Sequence, residues 1–277
     1  MKKLFLVFAL CSFACSASAG IMIYPKFLFF DDKTKSAEVT LINSSPLESS
    51  NYRISISYKK QNPDGSYTEI ASEDAPADSA EPILRYSPRS VMLNPNKSQT
   101  IRVLKRIPEG LEPGEYIAYI TFTEVLLEKP ATKPSKDNKT MTVRIIPIPS
   151  FSIPIFVRYK VKENAPVAIS TSAKDWQETD TQTTLNVVLT RQEQQTPTSA
   201  RGDISVWNGS TMLGFIRGRY LLPGNTSVAT KIPLKDKEDK PLKIKDLKGK
   251  KLTVLFTEPS EDKVDKSAVL AKTEVKL

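Results

Sequence analysis

The run from Met141 to Arg158, MTVRIIPIPSFSIPIFVR, constrains the fold of this chain more than any other stretch. Apolar residues occupy every second position along it: Met141, Val143, Ile145, Pro147, Pro149, Phe151, Ile153, Ile155 and Val157. Alternation with period two predicts a β-strand, here longer than the usual five or six residues. The run also holds three prolines, which have no N–H to donate to a ladder. We therefore expect this strand at a sheet edge or beside a bulge.

Two interpretations of this edge strand stay open. In the first, it is an ordinary strand whose apolar face fills the core of its own domain. In the second, it is kept available to pair with another chain, which is β-augmentation. A long apolar edge is an aggregation hazard that proteins normally suppress, and nothing in this sequence blunts it.

The first residues predict export. Lys2 and Lys3 precede an apolar run, and the small residues Ala17, Ser18 and Ala19 form a cleavage site. Residues 1–19 are therefore predicted to be a secretory signal peptide, cut before Gly20. Both cysteines lie inside it, so the mature chain has none and must be stabilised by its hydrophobic cores.

Composition argues against an enzyme. The chain has no histidine, which removes the commonest general base, the Ser/His and Cys/His arrangements and most zinc sites. No glycine-rich phosphate loop is present either. The formal charge of +9 suggests an acidic partner or surface. Nucleic acid is not expected, because the protein is exported and no aromatic residues interleave the lysine-rich run 231–251. Alternating acidic residues there favour a solvated loop.

Short alternating segments separated by turns recur along the whole mature chain. Strands are predicted at 21–30, 37–43, 52–58, 83–86, 91–93, 99–104, 115–127 and 141–158, and then at 167–171, 184–190, 202–207, 211–220, 227–232, 251–257 and 268–275. No segment shows sustained helical periodicity. About seven strands in each half indicate an all-β chain of two β-sandwich domains. The domains are predicted to span 20–158 and 159–277.

Five motifs, in order, resemble one known family. They are Ile23-Tyr-Pro-Lys26, the run from Tyr86 to Val103, Pro113-Gly-Glu-Tyr116, Ser152-Ile-Pro-Ile-Phe-Val-Arg158 and Arg201-Gly-Asp-Ile204. Together they resemble the periplasmic pilus chaperones of the chaperone–usher pathway, and the archaic-type branch more than the branch that serves type 1 and P pili. The resemblance covers nearly the whole mature chain.

The resemblance implies two immunoglobulin-like domains in a boomerang arrangement, located in the Gram-negative periplasm. It implies that the last strand of the first domain is lent to a pilus subunit whose own fold lacks one strand, which is donor-strand complementation. The subunit then passes to an outer-membrane usher, and no nucleotide or metal is needed. Self-association could cap the edge strand of the free protein. The alternative is a secreted structural protein, either an adhesin or a fimbrial subunit.

The resemblance also implies site residues. The predicted donor face is Phe151, Ile153, Ile155 and Val157, and the alternative for these four is core packing of their own domain.

Lys26 and Arg102, with Arg89 in reserve, are predicted to anchor the terminal carboxylate of the subunit. An edge-protecting role is equally open for Lys26. Better-known members carry a lysine in the last strand where this chain has Pro154. Arg158 is expected to pair with an acidic residue such as Glu124 and to fix the interdomain angle.

Overall fold

The computed structural model describes residues 20–126, 146–161, 166–171, 176–179, 182–192, 197–236, 238–260 and 266–276. The predicted signal peptide 1–19 and the beginning of the long strand, residues 141–145, lie outside these residues. The described chain folds into four β-sheets, which confirms the all-β prediction. None of its helices is long and apolar enough to cross a membrane.

The first domain consists of two facing sheets. Its strands are β1 (Ile21–Tyr24), β2 (Leu28–Phe30), β3 (Ser36–Asn43), β4 (Ser50–Gln61), β5 (Tyr67–Ile70), β6 (Leu84–Ser87), β7 (Ser90–Leu93), β8 (Ser98–Lys105), β9 (Gly114–Glu124) and β10 (Ser150–Tyr159). One sheet has the order β1-β3-β8-β6, and the other has the order β2-β10-β9-β4-β5 with β7 also on β4. Short 3-10 turns lie at Ser72–Asp74 and Glu81–Ile83.

Prolines mark the places where the chain crosses between these sheets. The predicted strand 21–30 is divided at Pro25, so that β1 joins one sheet and β2 the other. Pro88 marks the same crossing between β6 and β7. Proline cannot donate to a ladder and restricts the residue before it, so both prolines favour an interruption of the strand.

The first domain has the immunoglobulin arrangement. Its sheets place β1, β3, β8 and β6 on one side and β10, β9 and β4 on the other, in the order of strands A, B, E, D and G, F, C of an immunoglobulin domain. The Tyr116 hydroxyl near the start of β9 donates to the Glu112 carbonyl at 2.7 Å, as in the tyrosine corner of these domains. Inward residues from both sheets fill the core, among them Phe30, Leu41, Ile101, Ile120 and Ile155.

The second domain is a separate sandwich with its own core. Its strands are β11 (Val167–Ser170), β12 (Trp176–Glu178), β13 (Thr183–Arg191), β14 (Ala200–Asn208), β15 (Thr211–Leu221), β16 (Ser227–Leu234), β17 (Lys251–Thr257) and β18 (Val269–Lys276), with one helical turn, α1 (Ile244–Leu247). β13 pairs with β16 and with both β11 and β12. The facing sheet has the order β15-β14-β17-β18. The two immunoglobulin-like β-sandwich domains predicted from the sequence are therefore confirmed.

The domains meet through a mixed polar and apolar junction. The Gln61 side chain donates to the Tyr220 carbonyl at 2.8 Å and accepts from the Leu222 amide at 3.1 Å. Phe156 of the first domain packs in one cluster with Leu222 of the second. Because this contact lies at the end of β10, the geometry of that strand is tied to the position of the second domain.

Candidate functional site

The outer edge of β10 is only partly paired. On one side β10 pairs antiparallel with β9 along its whole length, Ser150–Tyr159. On the other side it pairs with β2, in parallel, only at the three residues from Ile155 to Val157. Within the described chain, no strand pairs with that side between Ser150 and Pro154. Residues 146–149, which lead into β10, are exposed and outside any strand. The first domain therefore presents an open strand edge.

The predicted donor residues differ in burial. Phe151 is 40% exposed and Ile153 is 7% exposed, whereas Ile155 and Val157 are fully buried in the core of the first domain. For Ile153, Ile155 and Val157 this packing matches the alternative interpretation, core packing. Alternation explains it, because residues of one parity share one face of a sheet and this face points inward. Phe151 is the member of the predicted set with a large exposed apolar surface.

Apolar side chains surround the beginning of the open edge. The Glu124 amide donates to the Pro149 carbonyl at 3.1 Å, which places the end of β9 against residues 146–149. Large apolar side chains here are exposed, namely Val125, Leu126, Ile146, Ile148 and Phe151. Exposed apolar clusters of this kind mark interaction sites more often than isolated exposed residues do.

Side-chain hydrogen bonds hold β10 onto the rest of its sheet. The Ser150 and Ser152 hydroxyls bond to Thr123 at 3.1 Å and Thr121 at 2.8 Å on the neighbouring strand. The Lys59 ammonium on β4 donates to the Ser152 hydroxyl at 2.8 Å. These bonds occupy one face of the sheet and leave the backbone of the outer edge available.

β2 limits the open edge at the domain junction. Leu28 is paired opposite Ile155, so a strand added beside β10 would end where Lys26 and Phe27 precede β2. Lys26 is exposed there. The Arg201 guanidinium from the second domain lies 4.3 Å from the centroid of the Phe29 ring and 5.7 Å from that of Phe27. Basic groups from both domains therefore lie at this end of the edge.

Arg201 belongs to the sequence motif Arg201-Gly-Asp-Ile204, which by itself indicates no role for this side chain. Burial, together with repulsion from Arg158, lowers the pKa of the Arg201 guanidinium. Its stacking on rings of the first domain is a cation–π contact between domains, and such contacts depend on tertiary structure that spacing alone does not reveal.

The three predicted anchor residues have separate surroundings. Arg102 on β8 forms an exposed ion pair with Glu38 on β3 at 2.9 Å, in the sheet that does not contain β10. Arg89 stacks on the Tyr86 ring, with its guanidinium carbon 5.2 Å from the centroid. Of the three, Lys26 is the one at the junction end of the open edge. A shared carboxylate site of Lys26 with Arg102 or Arg89 stays a prediction.

The predicted partner of Arg158 is corrected. Arg158 bonds to Glu115, not to Glu124, and both side chains of this pair are almost fully buried. The antiparallel register places Arg158 directly opposite Glu115. Glu124 lies at the far end of β9, roughly 30 Å away at about 3.3 Å per residue. Glu115 also accepts a hydrogen bond from the Ser199 amide of the second domain at 3.0 Å, so the pair does lie at the domain junction.

Comparison with known proteins finds similar structures. No family model and no curated protein matches the chain. A YadV chaperone structure shares 12% identity over 93% of this chain and 99% of that one, with a TM-score of 0.44. The Salmonella enterica SafA pilin in complex with the SafB chaperone matches at 11% identity, 94% and 97% coverage and a TM-score of 0.44. The chain is similar to pilus chaperones.

A third similar structure is the CsuC–CsuE chaperone–tip adhesion subunit pre-assembly complex from the archaic chaperone–usher Csu pili of Acinetobacter baumannii. It shares 16% identity over 76% of this chain and 90% of that one, with a TM-score of 0.41. Pilus chaperones are also the class of protein that the sequence motifs resemble. Among the residues described in this chain, no group of His, Cys, Asp and Glu could hold a metal ion.

Proposed function

We propose that this chain is a periplasmic, non-enzymatic chaperone that binds pilus subunits by donor-strand complementation and delivers them to an outer-membrane usher. The observation that carries the proposal is the open edge of β10 between Ser150 and Pro154. An unpaired edge is a template for a strand of another chain, and the backbone ladder supplies affinity while alternate side chains supply specificity. Phe151 would enter the incomplete core of the subunit.

The size of the apolar surface is consistent with such a partner. Burial of one large apolar side chain contributes roughly 1.5–3 kcal/mol. Phe151, Ile146 and Ile148 are each at least 40% exposed, so a bound subunit would cover surface that is unfavourable in water. Without a partner, self-association through the same edge would cover it.

The junction end of the edge supports recognition of a chain terminus. A partner strand there would meet Lys26 and lie close to β2 and to the Arg201 guanidinium stacked on Phe29. A carboxylate is the terminal group that such a basic environment favours, because charge-assisted hydrogen bonds are about twice as strong as neutral ones. Lys26 therefore remains the proposed first anchor, with Arg102 and Arg89 as the candidates predicted from sequence.

The alternative, a secreted adhesin or fimbrial subunit, is less favoured. A subunit that needs a donor strand lacks one strand of its sandwich, whereas the first domain here already holds β1, β3, β8 and β6 in one sheet and β10, β9 and β4 in the other. The edge of β10 is open although these strands are all present.

Co-expression with a candidate pilus subunit tests the proposal. We expect a one-to-one complex on purification, and loss of that complex for Phe151→Asp while the chain stays folded. Exposed Leu104 on β8, in the other sheet, offers a matched control, because Leu104→Asp should still form the complex. A complex that forms equally well with Phe151→Asp would show that β10 is not the lent strand.

A further inference from the structure

A groove lies on the sheet that contains β10, on the side of that sheet where β7 pairs with β4. It has a volume of about 720 Å³ and is formed where β7 and the loop before it meet β4. Its lining includes Arg53, Tyr86, Arg89, Ser90, Met92 and Val125. β7 pairs with β4 only up to Arg53, and β5 pairs with β4 only from Tyr58, so the groove occupies part of the gap between these two strands.

The floor of the groove is held by hydrogen bonds. The Ile54 amide donates to the Arg89 carbonyl at 2.9 Å, and the Tyr86 hydroxyl donates to the Ile54 carbonyl at 3.0 Å. The Arg89 guanidinium then stacks on the Tyr86 ring. Because these bonds fix the backbone and one aromatic wall, the groove is pre-formed, and a ligand would not have to order it.

The charge of the groove has one sign. Arg53 and Arg89 are exposed residues of the lining, and the lining contains no Asp or Glu. Neither arginine forms an ion pair with any residue that the structure describes. Arginine presents a planar fork of donors that matches a carboxylate, so two unpaired guanidinium groups favour an acidic ligand.

Apolar surface lies between and beside these charges. Met92 is 66% exposed and Val125 is 40% exposed, and Tyr86 adds an aromatic wall. Methionine adapts its shape to different apolar groups, which suits a binding surface. A simple anion would leave this apolar surface uncovered.

We infer that this groove binds an extended acidic peptide segment of a partner protein, with carboxylates on both sides of an apolar side chain. Two strands, β4 and β9, separate β7 from β10 in the sheet. A strand added to the open edge of β10 would therefore not pair with the strands of the groove, although Val125 lies beside both surfaces. The inference does not depend on the proposed function of the open edge.

The test uses a peptide with a central Phe flanked on each side by Asp-Glu, blocked at both ends and carrying a fluorophore. Its binding to the mature protein is followed by fluorescence anisotropy. We expect saturable binding that weakens as salt rises, because exposed charges are screened. Arg53→Ser and Arg89→Ser should each weaken binding about tenfold, the size of one lost charged contact. Met92→Ser removes exposed apolar surface of the lining and should weaken binding as well.

Matched controls separate this site from general attraction to a basic protein. Arg106→Ser removes an exposed arginine of the same domain outside the groove and should leave the affinity unchanged. A peptide with Asn-Gln in place of Asp-Glu, and one with Gly in place of Phe, should both bind weakly. Equal binding by all variants, no binding, or displacement by equimolar inorganic phosphate would each overturn the inference. So would loss of a subunit complex in Arg53→Ser, because Arg53 has no proposed part in subunit anchoring.

Discussion

Arg158 on β10 and Glu115 on β9 form a buried ion pair, and the same Glu115 carboxylate accepts the Ser199 amide of the second domain. One carboxylate therefore joins the strand that carries the open edge to the neighbouring domain. Removing one member of such a pair leaves an uncompensated buried charge, which is costly.

The first prediction concerns this pair. Arg158→Met should lower the free energy of unfolding by about 3–5 kcal/mol, because Glu115 would be left buried without its cation. Urea unfolding followed by circular dichroism measures the change. Arg102→Met breaks the exposed pair with Glu38 and should cost no more than about 1 kcal/mol. Equal losses of unfolding free energy in the two variants would mean that the buried pair contributes no more to stability than the exposed pair.

The second prediction separates two residues of the predicted donor face. Ile155→Asp should prevent folding or destabilise the chain severely, because Ile155 is fully buried in the first core. Phe151→Asp should change the unfolding midpoint little, because Phe151 is 40% exposed. Thermal unfolding of the free protein distinguishes them. A large loss of stability in Phe151→Asp would contradict the open edge described above.

The third prediction concerns two glycines with the same backbone conformation. Gly65 has a φ of 83° and Gly110 a φ of 76°, a region that costs other residues about 1 kcal/mol. A Cβ at Gly65 would lie 2.5 Å from the Ala229 carbonyl oxygen of the second domain, whereas nothing lies within 4 Å of one at Gly110. Gly110→Ala should therefore show only the backbone cost.

Gly65→Ala should show the backbone cost and also a displacement of the second domain. Small-angle scattering measures the displacement as a change in the radius of gyration. Unfolding curves for both variants measure the loss of stability that comes from the backbone conformation and that both variants share. An unchanged scattering profile together with a Gly65→Ala cost equal to that of Gly110→Ala would contradict this contact between the domains.

The fourth prediction concerns alkaline pH. Burial, and then the nearby Asp78 carboxylate, raises the pKa of the Tyr58 hydroxyl from 10.0 to about 12. The unfolded state therefore loses the proton first as pH rises. The contribution of Tyr58 to stability is complete below pH 10 and is lost as pH rises through about 12. Tyr58→Phe should be less stable at pH 8 and should lose less stability between pH 10 and 12.

Unfolding free energies for Tyr58→Phe and the unmodified protein across this range measure the difference in slope. Identical slopes for Tyr58→Phe and the unmodified protein would rule out a raised pKa for this hydroxyl.

Alternation predicts most of the strands, because the period-two pattern of a strand depends only on the residues of that strand. Strand β9 is rich in strong β-formers, and its predicted range 115–127 lies within a few residues of its observed bounds, although the strand is buried on both faces along most of its length. β5 and β12 were missed, because they are short strands with few buried side chains and so carry little alternation. Pro25 was recognised as an interruption, but the change of sheet there depends on what β1 and β2 pair with.

The site was harder to predict because it depends on register and domain contact. The choice of Glu124 for Arg158 failed because both Glu124 and Glu115 lie on β9, and only the pairing of β9 with β10 decides between them. The sequence pattern does not distinguish buried Ile155 from exposed Phe151, because alternation places both residues on the same face of the strand. The difference between them is that β2 covers one end of the edge and not the other.

The short β2 strand has a consequence for partners of unequal length. It pairs with β10 from Ile155 to Val157. Every partner strand that adds to the same edge must therefore end at the same place, next to Leu28. β2 sets no corresponding limit toward residues 146–149. Different partners would then be aligned by the end that meets β2, and any variation in their length would extend away from the domain junction. A family of related ligands could thus share one register on a single binding strand.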